Sequence, residues 1–418
     1  MQFFWEIPHW EQSDRDLSKM RRMPFQRPFP FIPQKPGLYI IRGPRQVGKS
    51  CWLKTILSFH AKSSKCFYQS CEEIENFQAL GELLRSTKDR DLVILDEVNF
   101  VEGWDRAIKH AVDAGYPKML IITGSHAHDL KRGADRMPGR FDEGGEFFLL
   151  PMSFDEFCEA RRQAGWSSEN RLSELRAYFR SGGFPTAVAE SGVHSKIPRK
   201  SMDTYWRWLS GDIVKLGKSE SVVREFLVQV LKTMQSPISL TSLAKKSGVG
   251  SHNTALDYMD ILESCFATRT LFAIDMDTGG LRFRKDRKFY FTDPLLYWIA
   301  LEHSGLKIPD NSESQLAEMV AHEHLTRRYS RFGYHGNDKG EVDFILPSQW
   351  AIEVKWSPVA LNLSKTFLQL QIPEKIVWTQ VNYLSEWPQL GSLIGSLKGK
   401  IEIKGDLLST EVKWNTKS

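Results

Sequence analysis

The sequence predicts an α/β chain that opens on a parallel sheet, and three observations predict it. A glycine-rich loop, Gly43, Pro44, Arg45, Gln46, Val47, Gly48, Lys49 and Ser50, has the spacing G-x-x-x-x-G-K-S between an apolar run and a helical stretch. Continuous apolar runs then alternate with helical segments as far as residue 151, the pattern of strands covered on both faces. Near the carboxyl end, acidic and basic residues recur on one face of a predicted hairpin, which marks a second α/β unit.

Length and composition set the outer limits. At 418 residues, and about 150 residues per domain, two or three domains are expected. With 41% hydrophobic and 26% charged residues the chain reads as soluble and globular. No apolar run is long enough to span a membrane, and Met1–Trp10 lacks a basic region followed by an apolar run. No membrane partner and no signal peptide are expected, and a cytoplasmic location is the default. The five cysteines (51, 66, 71, 158 and 265) show no C-x-x-C spacing, which argues against a zinc site and a disulfide framework. A net charge of +5 permits nucleic-acid binding only where it is clustered.

Residues 1–36 carry Pro24, Pro28, Pro30, Pro33 and Pro36 among phenylalanines and arginines. Proline at this density opposes a regular helix, so an extended arm is expected, packed on the first domain or a neighbour, or lying on the surface without function. Residues 37–151 form the nucleotide core. Glycines let the loop curl so that backbone N–H groups and the helix N-terminus face a triphosphate. Lys49 is placed for the β- and γ-phosphates of ATP, and the Ser50 hydroxyl for Mg²⁺. Leu92–Leu95 then leads into Asp96 and Glu97, a strand ending in two acids. Asp96 is expected to hold Mg²⁺ and Glu97 to orient and deprotonate the attacking water. Ser125, with Thr123, reads either as a γ-phosphate sensor or as a strand-end cap. Arg132, Arg136 and Arg140 follow in a glycine-containing loop. Arg140 is the candidate arginine finger offered to a neighbouring subunit, the alternative being a solvated basic loop.

Helices are expected over 152–220, opened by a capping box of Ser153 and Glu156 and broken at Ser181-Gly-Gly-Phe-Pro185. Taken in order, Gly43–Ser50, Leu95–Glu97, Ile122–Ser125, Ser153–Phe157 and Ser181–Pro185 resemble the AAA-type P-loop ATPase family of bacteria and archaea whose members carry a C-terminal domain of unknown function. The resemblance implies an AAA+ core with a helical lid, and a contact of Gly183 and Pro185 with adenine. The proline-rich arm is not part of that resemblance.

Residues 221–302 read as a winged helix. Leu240–Gly248 and Ser251–Leu262 are two helices joined by a short turn, followed by Ala267–Phe272 and Lys288–Thr292 as strands. Lys245, Lys246, His252 and Asn253 are candidate DNA contacts, and Arg282 and Arg284 lie in a basic stretch suited to phosphates. Asp257 and Asp260 on the second helix speak for packing instead.

In residues 303–418, a helix over Ser314–Leu325 precedes strands Gly340–Leu346 and Trp350–Trp356. Alternation puts Glu353 and Lys355 on one face, a hairpin brings Asp343 beside them, and the helix supplies Glu318. Such carboxylates bind Mg²⁺ or Mn²⁺, which activates water on a phosphodiester. The alternative is a hairpin with exposed charges. His322 and His324 read as helix-face residues rather than ligands. Glu318, Asp343, Glu353 and Lys355 resemble the PD-(D/E)xK nuclease superfamily, in an order similar to that of archaeal Holliday-junction resolvases. This implies a restriction-endonuclease-like α/β domain with endonuclease activity.

The combined expectation is an ATP-dependent DNA-processing enzyme. It couples hydrolysis to remodelling and metal-dependent cleavage of branched or double-stranded DNA, such as a Holliday junction. A finger acting in trans requires a homo-oligomer, a ring of six being the working expectation. The rival readings are a nucleotide-gated regulatory or defence switch, and a DNA-binding ATPase that does not cut.

Overall fold

The five apolar runs of the first half become parallel strands: β1 (Gly37–Arg42), β2 (Cys66–Ser70), β3 (Leu92–Asp96), β4 (Met119–Gly124) and β5 (Gly145–Leu149), in the order β5-β1-β4-β3-β2. A computed structural model of the chain describes residues 3–124, 139–194, 196–215, 217–347, 349–359, 362–384 and 393–396. Every residue of β1, β3 and β4 is buried, which explains why these strands read as unbroken apolar runs instead of alternating ones. Residues 393–396 add an antiparallel strand beside β5. The order has one consequence for chemistry. With β4 between β1 and β3, the carboxyl end of β4 stands between the glycine loop that follows β1 and the acids that end β3.

The arm departs from the extended course expected of it. Before its prolines begin in earnest it forms two short helices, Trp10–Ser13 and Arg15–Arg21. Asp14 caps the second, accepting from the N–H groups of Asp16 and Leu17. The arm lies along the helix Lys49–His60. Lys54 pairs with Asp14 and Asp16, each at 2.7 Å, and the Trp52 indole donates to the Phe31 carbonyl. The Arg27 guanidinium donates to the Val47 carbonyl inside the glycine loop, at 2.8 Å. Of the three placements left open, the arm takes the first domain of its own chain.

Residues 151–391 form the second unit, described by itself. Its first helix, Phe154–Gln163, starts on the expected capping box: Ser153 Oγ accepts from Glu156 N–H while the Glu156 carboxylate accepts from Ser153 N–H. Helices Leu240–Lys246 and His252–Ser264 precede the antiparallel hairpin of β6 (Thr268–Ile274) and β7 (Leu281–Phe291). Strands β8 (Gly333–Asn337), β9 (Gly340–Leu346), β10 (Trp350–Val354) and β11 (Glu374–Trp378) continue the same sheet, in the order β11-β10-β9-β8-β6-β7. The boundary drawn at residue 302 is therefore a passage within one sheet. No helix among the described residues is long and apolar enough to cross a membrane.

Candidate functional site

The glycine loop closes because two of its residues lack a Cβ. Gly43 has φ +156°, and a Cβ there would lie 2.0 Å from the Leu149 carbonyl oxygen; Gly48 has φ +101°. Lys49 is buried, and its ammonium donates to the Gly43 and Pro44 carbonyls at 2.9 and 3.0 Å. Its charge is thus held inside the curve of the loop. Asp96 ends β3 and is buried. The Tyr68 hydroxyl donates to its Oδ2 at 3.0 Å, and Thr123 Oγ1 donates to its Oδ1. Thr123 Oγ1 also accepts from the Glu97 N–H at 3.2 Å. Glu97 sits in the left-handed region, φ +55°, a conformation that costs a non-glycine residue about 1 kcal/mol or more and that turns the chain sharply off the strand.

Ser50, Asp96 and Glu97 line one cleft of about 400 Å³, with Tyr68, Glu72 and the arm's Asp16 on its walls. That volume lies within the roughly 300–1,000 Å³ usual for ligand sites. The loop that only glycine permits, with a hydroxyl and a carboxylate as hard oxygen donors, fits a Mg²⁺–nucleotide complex. When bound, Mg²⁺ neutralises charge on the phosphates. The chain's own groups frame the site: Lys49 supplies a fixed positive charge, and Thr123 ties the Asp96 carboxylate to the backbone of Glu97. Tyr68 carried no motif; only the pairing of β2 with β3 brings it to Asp96.

Arg140 forms a two-point ion pair with Asp113, Nε to Oδ1 at 2.6 Å and Nη2 to Oδ2 at 3.2 Å. It lies just before β5, near Asp142, which bridges to Gly37 at the start of β1. This is the amino end of the parallel strands, opposite the loop, so Arg140 does not act in its own subunit's cleft. Ser125, Arg132 and Arg136 lie outside the described residues.

Gly183 and Pro185 are buried in the second unit. Gly183 N–H donates to Asp293 Oδ2 at 2.8 Å, and a Cβ on Gly183 would meet the Met152 carbonyl at 2.1 Å. Gly182, at φ +67° and ψ −164°, would drive a Cβ to 1.8 Å from Asp293 Oδ1. Pro185 begins the helix Pro185–His194. The glycine pair thus has a packing role of its own. Burial pushes the Asp293 carboxyl up to about 7, against the N–H groups of Gly183 and Leu295. Gly182→Ala is expected to cost roughly 2–4 kcal/mol of stability. A thermal midpoint equal to that of the wild type would remove this account.

The second constellation is gathered as expected, around a residue that was not foreseen. Glu318, Asp343 and Glu353 are all buried. At their centre Lys288 of β7, 0% exposed, places its ammonium 3.0 Å from Glu318 Oε1, 2.5 Å from Glu341 Oε1 and 3.7 Å from Asp343 Oδ1. The Tyr290 hydroxyl donates to Glu318 Oε1 at 2.6 Å, and Val354 N–H donates to Asp343 Oδ2 at 2.8 Å. Glu353 accepts from Ser364 Oγ at 3.0 Å and pairs with Lys355 at 3.2 Å. Burial opposes the Lys288 charge, but Glu318 and the other acids outweigh it and hold the ammonium well above its ordinary pKa. Burial, then Glu318, raises the Asp343 carboxyl despite Lys288.

The metal expected on Glu318, Asp343 and Glu353 does not fit this arrangement. A protein ammonium already provides the positive charge, and no group of three or more metal-ligating side chains is set for an ion among the described residues. His322 and His324 are buried; burial lowers them to about 3 and about 4, and His322 stacks on Tyr290 at 4.6 Å.

In the second unit, Lys245, Lys246, His252, Asn253, Arg282 and Arg284 are all exposed. Arg282 pairs with Asp275, Nε to Oδ2 at 3.0 Å. Asp257, which spoke against DNA, is paired with Lys218, so part of its negative charge is met within the chain.

An uncharacterized protein of Haemophilus influenzae is 26% identical over 349 residues, which cover 78% of this chain and 82% of that protein. An uncharacterized protein of Methanocaldococcus jannaschii is 24% identical over 232 residues, 51% of each chain, so this chain spans about half the length of that relative. Among solved structures, the Thermotoga maritima RuvB Holliday junction branch migration motor is 16% identical and covers 66% of this chain and 88% of its own, with a TM-score of 0.32. Cdc6p of Pyrobaculum aerophilum is 13% identical, with coverages of 71% and 94% and a TM-score of 0.27. Residues 172–306 match the family model of a domain of unknown function. Residues 35–158 match the family model described as an AAA domain, and the chain carries an AAA-type P-loop ATPase domain there.

Proposed function

We propose that this protein is an oligomeric, DNA-binding AAA-type ATPase whose nucleotide cycle sets the grip of its second unit on DNA, and that it does not cut DNA in the state described. The observation that carries the reading is the run of exposed basic and polar groups on the two winged-helix helices and on β7. Phosphate contacts of this kind give affinity without sequence choice. Oligomerisation is supported by the place of Arg140, paired with Asp113, at the strand end away from its own cleft; a ring of six is the proposed form. From there it serves a neighbour's site.

A second reading, metal-dependent cleavage of branched DNA such as a Holliday junction, is favoured by the gathering of Glu318, Asp343, Glu353 and Lys355. It requires Lys288 to leave the carboxylates. One experiment separates the two. A four-way junction, a fork, a duplex and a single strand are each incubated with the protein, ATP and Mg²⁺ or Mn²⁺, and both phosphate release and strand scission are followed. The expected result is ATP turnover stimulated by DNA, with intact strands. The joint change Lys245→Ala and Lys246→Ala is expected to lower that stimulation and the salt dependence of binding. Turnover indifferent to every DNA would sink the first reading, and scission would establish the second.

A further inference from the structure

The wing strand is longer than its partner at one place. Phe272 pairs with Arg287 and the next residue of β6, Ala273, pairs with Arg282, so Phe283, Arg284, Lys285 and Asp286 bulge from the hairpin. All four are exposed, Phe283 at 61%. The base of the bulge is built, not slack. The Arg287 guanidinium donates to the Phe283 carbonyl at 2.7 Å and lies 5.1 Å from the Phe272 ring centroid. The Phe283 ring makes a T-shaped contact with Phe272, centroids 4.9 Å apart, which holds it in place while 61% of the residue stays exposed to solvent. The Tyr334 hydroxyl donates to the Asp286 carbonyl on the other flank.

We propose that this bulge is a stacking platform for an unpaired base. Phe283 offers an aromatic face, and Arg284 and Lys285 beside it offer charge to the flanking phosphates. Stacking on an aromatic side chain is open to a base that has left its duplex and closed to one stacked inside it, so the bulge selects nucleic acid with unpaired bases. This deepens the DNA-binding reading and rests on it: the substrate class becomes a fork, branch or single strand. Bulges re-aim side chains out of a sheet, and here the side chains re-aimed are the ones that such a strand requires.

The test compares the full-length wild type, Phe283→Ala and Phe283→Tyr by fluorescence anisotropy on labelled single-stranded, forked and duplex DNA of matched sequence. Phe283→Ala is expected to weaken single-strand and fork binding about tenfold, the size of one lost stack, with duplex binding changed less than about twofold. Phe283→Tyr restores both. An equal loss on all three DNAs, or no loss, overturns the platform and leaves the winged helix as a duplex reader. A change in oligomeric state with DNA binding unaltered makes the bulge a subunit contact and also overturns it. If the wild type binds none of the three at low salt, the DNA-binding reading falls and the platform falls with it.

Discussion

Lys49→Ala is expected to lower ATP turnover at least about a hundredfold, the usual cost of removing one group that meets charge in a phosphoryl-transfer transition state. The argument is geometric. The ammonium lies inside the loop, 2.9 and 3.0 Å from two of its carbonyls, so positive charge is already placed where phosphate oxygens enter. Glu97→Gln provides the contrast. It keeps the side-chain shape and leaves the backbone N–H bonded to Thr123, so nucleotide binding should persist while hydrolysis is lost. Phosphate release and binding of a fluorescent nucleotide, measured in parallel, separate the two variants. Turnover of Lys49→Ala at the wild-type rate would sink the assignment of this loop.

What could be read from the sequence was what is written locally. A glycine loop, an acid pair at a strand end, a capping box and the helix pair Leu240–Lys246 and His252–Ser264 each occupy a short stretch and obey short-range geometry. The parts that escaped are made by distant pairing. Tyr68 reaches Asp96 only because β2 and β3 are neighbours in the sheet. The arm's Asp14 and Asp16 meet Lys54 through a chain reversal that proline content does not encode, and reading the arm by its prolines also concealed the helix that Asp14 caps and Asp16 belongs to. The bulge at Phe283 is an offset between two strands and exists only relative to its partner. Lys288 was visible as one cation in a basic stretch. Its burial among carboxylates depends on β7 and β9 lying in one sheet beneath the helix Ser312–Thr326.

That burial makes Lys288→Met the change with the largest expected effect on stability. Removing the partner of buried acids leaves their charge unmet, a cost of about 3–5 kcal/mol. The sign of its pH dependence follows from the acids. Asp343 and Glu341 are already raised above their ordinary values, chiefly by burial and in both also by Glu318. Without the ammonium they rise further. A carboxyl with a raised folded pKa binds its proton more tightly in the folded state. Folded-state stability is then retained below the unfolded value, near pH 4, and is lost as pH rises towards the folded value. The variant should therefore lie closest to the wild type in mild acid and furthest from it in alkali, read as thermal midpoints across pH. A deficit constant with pH would mean that Lys288 matters only for packing. Mn²⁺ adds a second axis to the same measurement. If it restores the variant's midpoint and leaves the wild type unmoved, Glu318, Glu341 and Asp343 can hold a divalent ion once the ammonium is gone, and Lys288 is what keeps a nuclease-like constellation closed. If Mn²⁺ does nothing, the acids are arranged for a lysine alone, and the resemblance to a nuclease is one of residue order without its metal chemistry.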